Sequence, residues 1–288
     1  MTFLVLAIAC STINHLLFKA FARYRIDLLG AIVINYTVCL VIGAASSVTP
    51  VFGISLFTQN WYPVSIVQGI ILVVCLFLIG RTTEKQGVAV TSLATRLSVA
   101  IPTAAAFFLY GDIVTTMKII GIPAALLALY LSSGVPTESA HSPKMVKILP
   151  IALFSLFGAH STLLKFVQER FLDKTSYHTY VMAAFLSAFL ISGAVLAWRL
   201  VRKKQSFRWK ELVWGFVLGC TNYGSVYFLI RALSVPGRES SQLFLTISIA
   251  VVGLSSFGAW FFFDERPGGR LLGALAIGAV AITLVNLG

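Results

Sequence analysis

The chain has 288 residues, of which 58% are hydrophobic and 11% charged, and its mean hydropathy is +0.91. Too few polar side chains exist to cover a soluble surface of that size, so a water-soluble domain is excluded. The formal charge of +12 would suit nucleic acid, but its placement between apolar runs assigns it to membrane topology instead.

A membrane-crossing helix needs about 20 mostly apolar residues. Ten runs qualify, at roughly 2–20, 28–47, 63–80, 88–109, 114–133, 147–168, 177–198, 211–233, 240–263 and 268–287. Strand-like alternation is absent, which argues against a β-barrel. Helices satisfy their own backbone in lipid, and the expected class is an all-α integral membrane protein.

The first run follows Met1 with no basic segment and no small-residue cleavage site, and reads as a retained helix rather than a signal peptide. It carries Asn14, His15 and Lys19. Histidine titrates near neutral pH, so His15 is a candidate proton carrier as well as a substrate ligand, against the plainer role of a packing histidine. Lys19 lies near the helix end, where snorkelling to the interface is the expected role. The third run carries Gln68.

The fourth run contains "TSLATRLSVAIPT" (91–103), with Arg96 inside it. Arg96 lies about 12 Å into the span at 1.5 Å per residue. An arginine at that depth costs roughly 2.5–3.5 kcal/mol on insertion scales, and must face water or a partner. Every Asp and Glu in the chain sits at a helix end or in a loop: Asp27, Glu84, Asp112, Glu138, Glu169, Asp173, Glu211, Glu239, Asp264 and Glu265. Arg96 therefore has no evident buried counter-ion. Its guanidinium suits a carboxylate or phosphate gripped by paired hydrogen bonds, so an anionic or zwitterionic small molecule is the expected substrate. The competing role is a structural arginine on helix carbonyls.

"SSGVPTESAHSPKMVK" (132–147) reads as a linker. Beyond it, the sixth run carries His160, a second proton-carrier and substrate candidate, and Lys165. "RLVRKKQSFRWK" (199–210) is a cytosolic loop beside anionic lipid in this reading. The eighth run holds Asn222, Tyr223 and Tyr227, the two tyrosines four apart on one face; the ninth opens with Ser241, Gln242 and Thr246. Intramembrane amides commonly bond only to neighbouring helices, which is the bland account of Asn14, Gln68, Asn222 and Gln242. In the tenth, Gly269, Gly273, Ala274 and Gly278 include pairs four apart, a spacing that serves internal packing or a dimer contact, so monomer and homodimer both stand. The cysteines Cys10, Cys39, Cys75 and Cys220 all fall within spans and show no metal or disulfide spacing. No metal and no cofactor is expected.

The chain repeats itself. "RTTEKQG" (81–87) corresponds to "RALSVPG" (231–237); Asp112, Lys118 and Gly121 correspond to Asp264, Arg270 and Gly273; "NHLLFK" (14–19) corresponds to "HSTLLK" (160–165). The expected organisation is a first five-helix repeat at 1–133, a linker at 134–146 and a second repeat at 147–288. An odd number of helices inverts the copy in the membrane. The loops on one side hold 15 Lys and Arg and those on the other hold 6. This places the protein in the cell (inner) membrane with 199–210 cytoplasmic and both termini outside. Inverted repeats typify secondary transporters, which bind substrate at the repeat interface. In this alignment the counterpart of Arg96 is Thr246, which makes the cationic site asymmetric.

Ten helices in two such repeats resemble the drug/metabolite transporter superfamily, specifically its EamA-type permeases. The carriers are the repeat ends "FFLYGDIVTTMKIIGIPAALLALYLSS" (107–133) and "WFFFDERPGGRLLGALAIGAVAITLVNL" (260–287), where Glu265 matches the family's acidic residue and Asp112 stands where Glu is usual. The resemblance implies a basket of helices 1–4 and 6–9 around a central cavity, with helices 5 and 10 outside it. It further implies movement of amino acids, other metabolites or drugs, often outward and in some members against protons. Helices 1, 3, 4, 6, 8 and 9 would line the cavity. The helix-1 glutamate with which small multidrug-resistance relatives exchange protons for cationic drugs is missing, which disfavours a polycation pump.

The expected function is a gradient-driven exporter of amino acids or related metabolites, not an enzyme. Phosphate-cradling loops, nucleophile elbows and H-E-x-x-H are absent. The alternative is a membrane-embedded enzyme or flippase that handles a lipid or phosphate headgroup. It predicts surface clusters of acids or histidines in metal spacing, and none occurs in the sequence.

Overall fold

The computed structural model describes residues 2–46, 56, 58–109, 115–132, 143–172, 176–203, 208–233 and 240–287. Among them are eleven α-helices: α1 (Thr2–Tyr24), α2 (Leu28–Ala45), α3 (Tyr62–Gln86), α4 (Val88–Leu97), α5 (Ala100–Leu109), α6 (Thr116–Ser132), α7 (Pro143–Phe171), α8 (Ser176–Lys203), α9 (Trp209–Leu233), α10 (Ser240–Phe263) and α11 (Gly269–Leu287). Each of the ten apolar runs coincides with helix. Eight helical segments are long and apolar enough to cross a bilayer, and α6 and α11 are shorter apolar helices. The chain is an all-α, multi-pass membrane protein. α7 begins at Pro143, within the stretch read as linker; most of that stretch lies outside the described residues, as does Asp112.

Local chemistry sets the breaks. α1 ends where Arg25 takes a left-handed backbone (φ 53°). The Arg25 amide donates to the Ala22 carbonyl and the Ile26 amide to the Phe21 carbonyl, which closes the helix in a Schellman turn with Ile26 buried behind it. Asp27 then caps α2, its carboxylate accepting the Gly30 amide at 2.9 Å. Between α3 and α4 stands one residue, Gly87, at φ 90° and ψ 172°, a region open essentially to glycine alone.

The fourth run, read from sequence as one helix over 88–109, is two. Pro102 has no amide to give the Ser98 carbonyl and its ring crowds that oxygen, so the helix breaks at Ser98–Val99. The Ile101 amide bonds to Ser98 instead. Before the break, Thr91, Ser92, Thr95 and Ser98 each turn their hydroxyl back on a carbonyl three or four residues earlier. Such bonds satisfy hydroxyls buried among apolar neighbours and favour bending.

The main core joins the C-terminal part of α1 (Leu17, Phe18, Phe21) to Ile79 of α3 and to Leu93, Ala94 and Leu97 of α4; it continues through Ala128, Leu153 and Ile282 of α6, α7 and α11. Exposed apolar side chains such as Val41, Tyr130, Trp198 and Phe261 cover the outside, as a lipid-facing surface requires. α6 lies along α11, where a side chain at Gly121 would press on Leu284 and Val285. Gly278 is pressed against Leu93 in the same way, whereas Gly269 and Gly273 face open space. One half of the glycine pattern is therefore internal packing.

Candidate functional site

Of the sequence-marked residues, Asn14, His15, Gln68, Arg96, His160, Asn222 and Tyr223 are buried or half-buried on α1, α3, α4, α7 and α9. Arg96 lies two residues before the helix break, and its Nε is buried with no hydrogen-bond partner among the described residues. No ion pair forms to it among the described residues. His15 of α1 is also buried, and its Nδ1 has no partner among the described residues. The helices that carry Arg96 and His15, α4 and α1, pack against each other.

The other candidates form inter-helix bridges. The Gln68 amide on α3 is hydrogen-bonded to Nδ1 of His160 on α7, and its own Oε1 is buried without a partner. His160 packs edge-on against Phe157. On the opposite side, the Thr221 hydroxyl of α9 donates to Oδ1 of Asn14 on α1 at 2.5 Å. Asn222 donates to Oδ1 of Asn35 on α2 at 3.1 Å. The Tyr223 hydroxyl meets that of Ser46 at 2.6 Å, and its ring stacks on Tyr227 at 6.3 Å between centroids. Thr246 is on an exposed face of α10, and the side chain of Gln242 lies outside the described residues.

Three participants escaped the sequence reading. Asn35 is fully buried with Nδ2 unpartnered, and the adjacent Tyr36 has a buried hydroxyl without a partner. Both sit mid-run on α2, where the asparagine alone was a legible signal. Thr221 passes for an ordinary helix threonine until the fold brings Asn14 to it.

Lys19 has a partner that its position near a helix end did not reveal: its ammonium is paired with the Glu265 carboxylate, and the two side chains are 18% and 14% exposed. The pair forms because the turn after α10, with Asp264 left-handed at φ 56°, swings Glu265 inward. The same carboxylate accepts the Val88 amide at 2.9 Å, so it caps the start of α4 from the other end of the sequence. Nearby, Arg199 of α8 grips both oxygens of Asp27, one at 2.8 Å. Arg208 pairs with Glu211 and donates to the Arg25 carbonyl at 2.9 Å. These contacts draw one end of the bundle together.

At that end is a cavity of about 280 Å³, lined by Phe18, Phe21, Arg25, Asp27, Phe77 and Arg199 among others; it is separate from the Arg96 region. Among the described residues no group of three or more His, Cys, Asp or Glu is placed to hold a metal.

No family model matches the chain. It is 24% identical over 269 residues to an uncharacterized protein of Haemophilus influenzae (strain ATCC 51907 / DSM 11121 / KW20 / Rd), covering 91% of this chain and 90% of that protein. A solved crystal structure shares its fold with a TM-score of 0.61 at 17% identity, over 98% of this chain and 96% of that one.

Proposed function

We propose that this chain is a secondary transporter of the drug/metabolite type, exporting amino acids or related small metabolites by alternating access. The observation that carries the reading is Arg96: a guanidinium inside the bundle, on a broken helix, with Nε unpartnered and no ion pair among the described residues. A buried charge without a protein partner is expensive, and a substrate carboxylate would neutralise it when bound. Broken helices at mid-depth commonly form transporter sites. Gln68, His160, Asn14 and Asn222 supply polar groups on neighbouring helices, and His15, on the helix α1 that packs against α4, is a group able to exchange a proton.

The helix contacts support two inverted halves. Exchange of the first five spans with the last five turns the α1–α9 contact into α7–α3, and α2–α9 into α8–α3; α6–α11 maps onto itself. The polar bridges follow the same exchange, Asn14–Thr221 becoming His160–Gln68. The α1–α3 contact has no counterpart of similar extent between α7 and α9 among the described residues. That asymmetry fits a form closed at the Lys19–Glu265 end. By the positive-inside argument this end is cytoplasmic, with loop 199–210 there and the termini outside, in the cell (inner) membrane.

The test is counterflow of a carboxylate-bearing solute, such as a neutral amino acid, in liposomes with purified protein. Arg96→Gln should abolish it while the protein stays monodisperse and helical. Undiminished transport by that variant would remove Arg96 as the substrate ligand.

A further inference from the structure

The cavity at the latched end is lined by the apolar and cationic groups that a phospholipid headgroup region requires. Buried Phe18 and Phe21 and the more exposed Phe77 give it an apolar wall, and Arg25, Arg81 and Arg199 line it as well, here called its rim. The rim acids are already engaged: Asp27 by Arg199, and Glu84 by Arg81 at 3.0 Å. The rim keeps one net positive charge. Arg25 is exposed and its guanidinium makes no hydrogen bond or ion pair among the described residues; the left-handed backbone at this position commits the chain to the turn that brings it to the rim. Nε of Arg199 is buried without a partner.

The approach to the cavity runs along α3. Val67, Ile70, Val74 and Phe77 are exposed at spacings of three and four, one continuous outward stripe. The next residue on that stripe is Arg81, whose guanidinium lies 5.2 Å from the centre of the Phe77 ring. A stripe of lipid-facing side chains thus leads into a cationic cavity at the helix end, where headgroups lie.

We infer that this cavity binds the phosphodiester of one anionic phospholipid between Arg25 and Arg81, with an acyl chain along the Val67–Phe77 face of α3. A free phosphate ion would share the headgroup chemistry but not use the stripe. Nothing in the inference depends on transport or on Arg96.

The test is native mass spectrometry of the full chain in detergent, titrated with phosphatidylglycerol, phosphatidylcholine or inorganic phosphate. One phosphatidylglycerol should be retained in preference to phosphatidylcholine. Its affinity should fall about fivefold for each of Arg25→Gln and Arg81→Gln. Arg202→Gln, exposed at the same end but outside the cavity, should leave it unchanged. Equal loss in all three variants would reduce the effect to surface charge and overturn the site. Displacement of the lipid by millimolar phosphate would make it an ion site and overturn the lipid assignment. On the unmodified protein, phosphatidylglycerol with a photoreactive acyl chain should label the α3 segment from Val67 to Phe77; labelling spread evenly over the helices would also overturn the proposal.

Discussion

Glu265 accepts the backbone amide of Val88 at 2.9 Å, although the two residues lie 177 positions apart, in opposite halves of the chain. The contact requires Gly87: a Cβ there would lie 2.8 Å from the carboxylate oxygen. One side chain thereby caps the short helix that carries Arg96 and, through Lys19, ties that helix to the end of α1.

Removal of this carboxylate is expected to be costly. Glu265→Ala takes away a charged acceptor and strands Lys19, which should lower stability by about 1.5–3 kcal/mol. Glu265→Gln keeps an acceptor for Val88 and should lose less. Thermal midpoints of the detergent-solubilised protein measure both; an unchanged midpoint for Glu265→Ala would dismiss the latch.

Gly87→Ala should destabilise through two separable causes, a backbone of φ 90° and contact with Glu265. The backbone cost is on the order of 1–3 kcal/mol. Combining it with Glu265→Ala should relieve the contact but not the backbone, so the double variant should be more stable than the sum of the single losses predicts. Simple additivity would show that the carboxylate does not press on this position.

Asp27 predicts a dependence on acid. Burial pushes its carboxyl up, but the hydrogen bond from Arg199, the Gly30 amide and the nearby guanidinium charges outweigh this and hold it below the usual carboxylate range. A carboxyl whose folded value is depressed adds stability that is fully present above its unfolded value and is lost as pH falls through the folded one. Stability of the wild type should therefore drop below pH about 4 more steeply than that of Asp27→Asn. Parallel profiles from pH 6 to 3 would mean that the Asp27–Arg199 pair adds nothing.

The Gln68–His160 bridge should behave as a coupled pair. Each single alanine variant leaves the other group unsatisfied inside the bundle, at a cost of roughly 1 kcal/mol. A double-mutant cycle should return a coupling of similar size, and so should Asn14 with Thr221. Zero coupling in both cycles would refute the paired bridges.

If His15 and His160 carry coupling protons, replacing both should flatten the pH dependence of transport between about 5 and 8. Loss of rate with an unshifted profile would leave them as positioning groups only.

Apolar run length alone determined that this is a helical membrane protein and where its apolar segments lie, because in lipid each helix must satisfy its own backbone locally. The costly residues Arg96, His15 and His160 stood out for the same reason: a polar group in an apolar run is visible without knowing its neighbours. Pro102 was legible too, yet its effect, a break at Ser98–Val99, became clear only with the helix in hand. Partners were a different matter. Asn14 meets Thr221 from 207 positions away and Gln68 meets His160 from 92, and neither pairing leaves a trace in local periodicity. Lys19 illustrates the limit best. Its position near a helix end made snorkelling the economical reading, and only the packing of α1 against α10 and the left-handed turn at Asp264 brought Glu265 to it. Tertiary structure decided which charges pair, Lys19 with Glu265 and Arg199 with Asp27, because those partners meet only when distant helices pack.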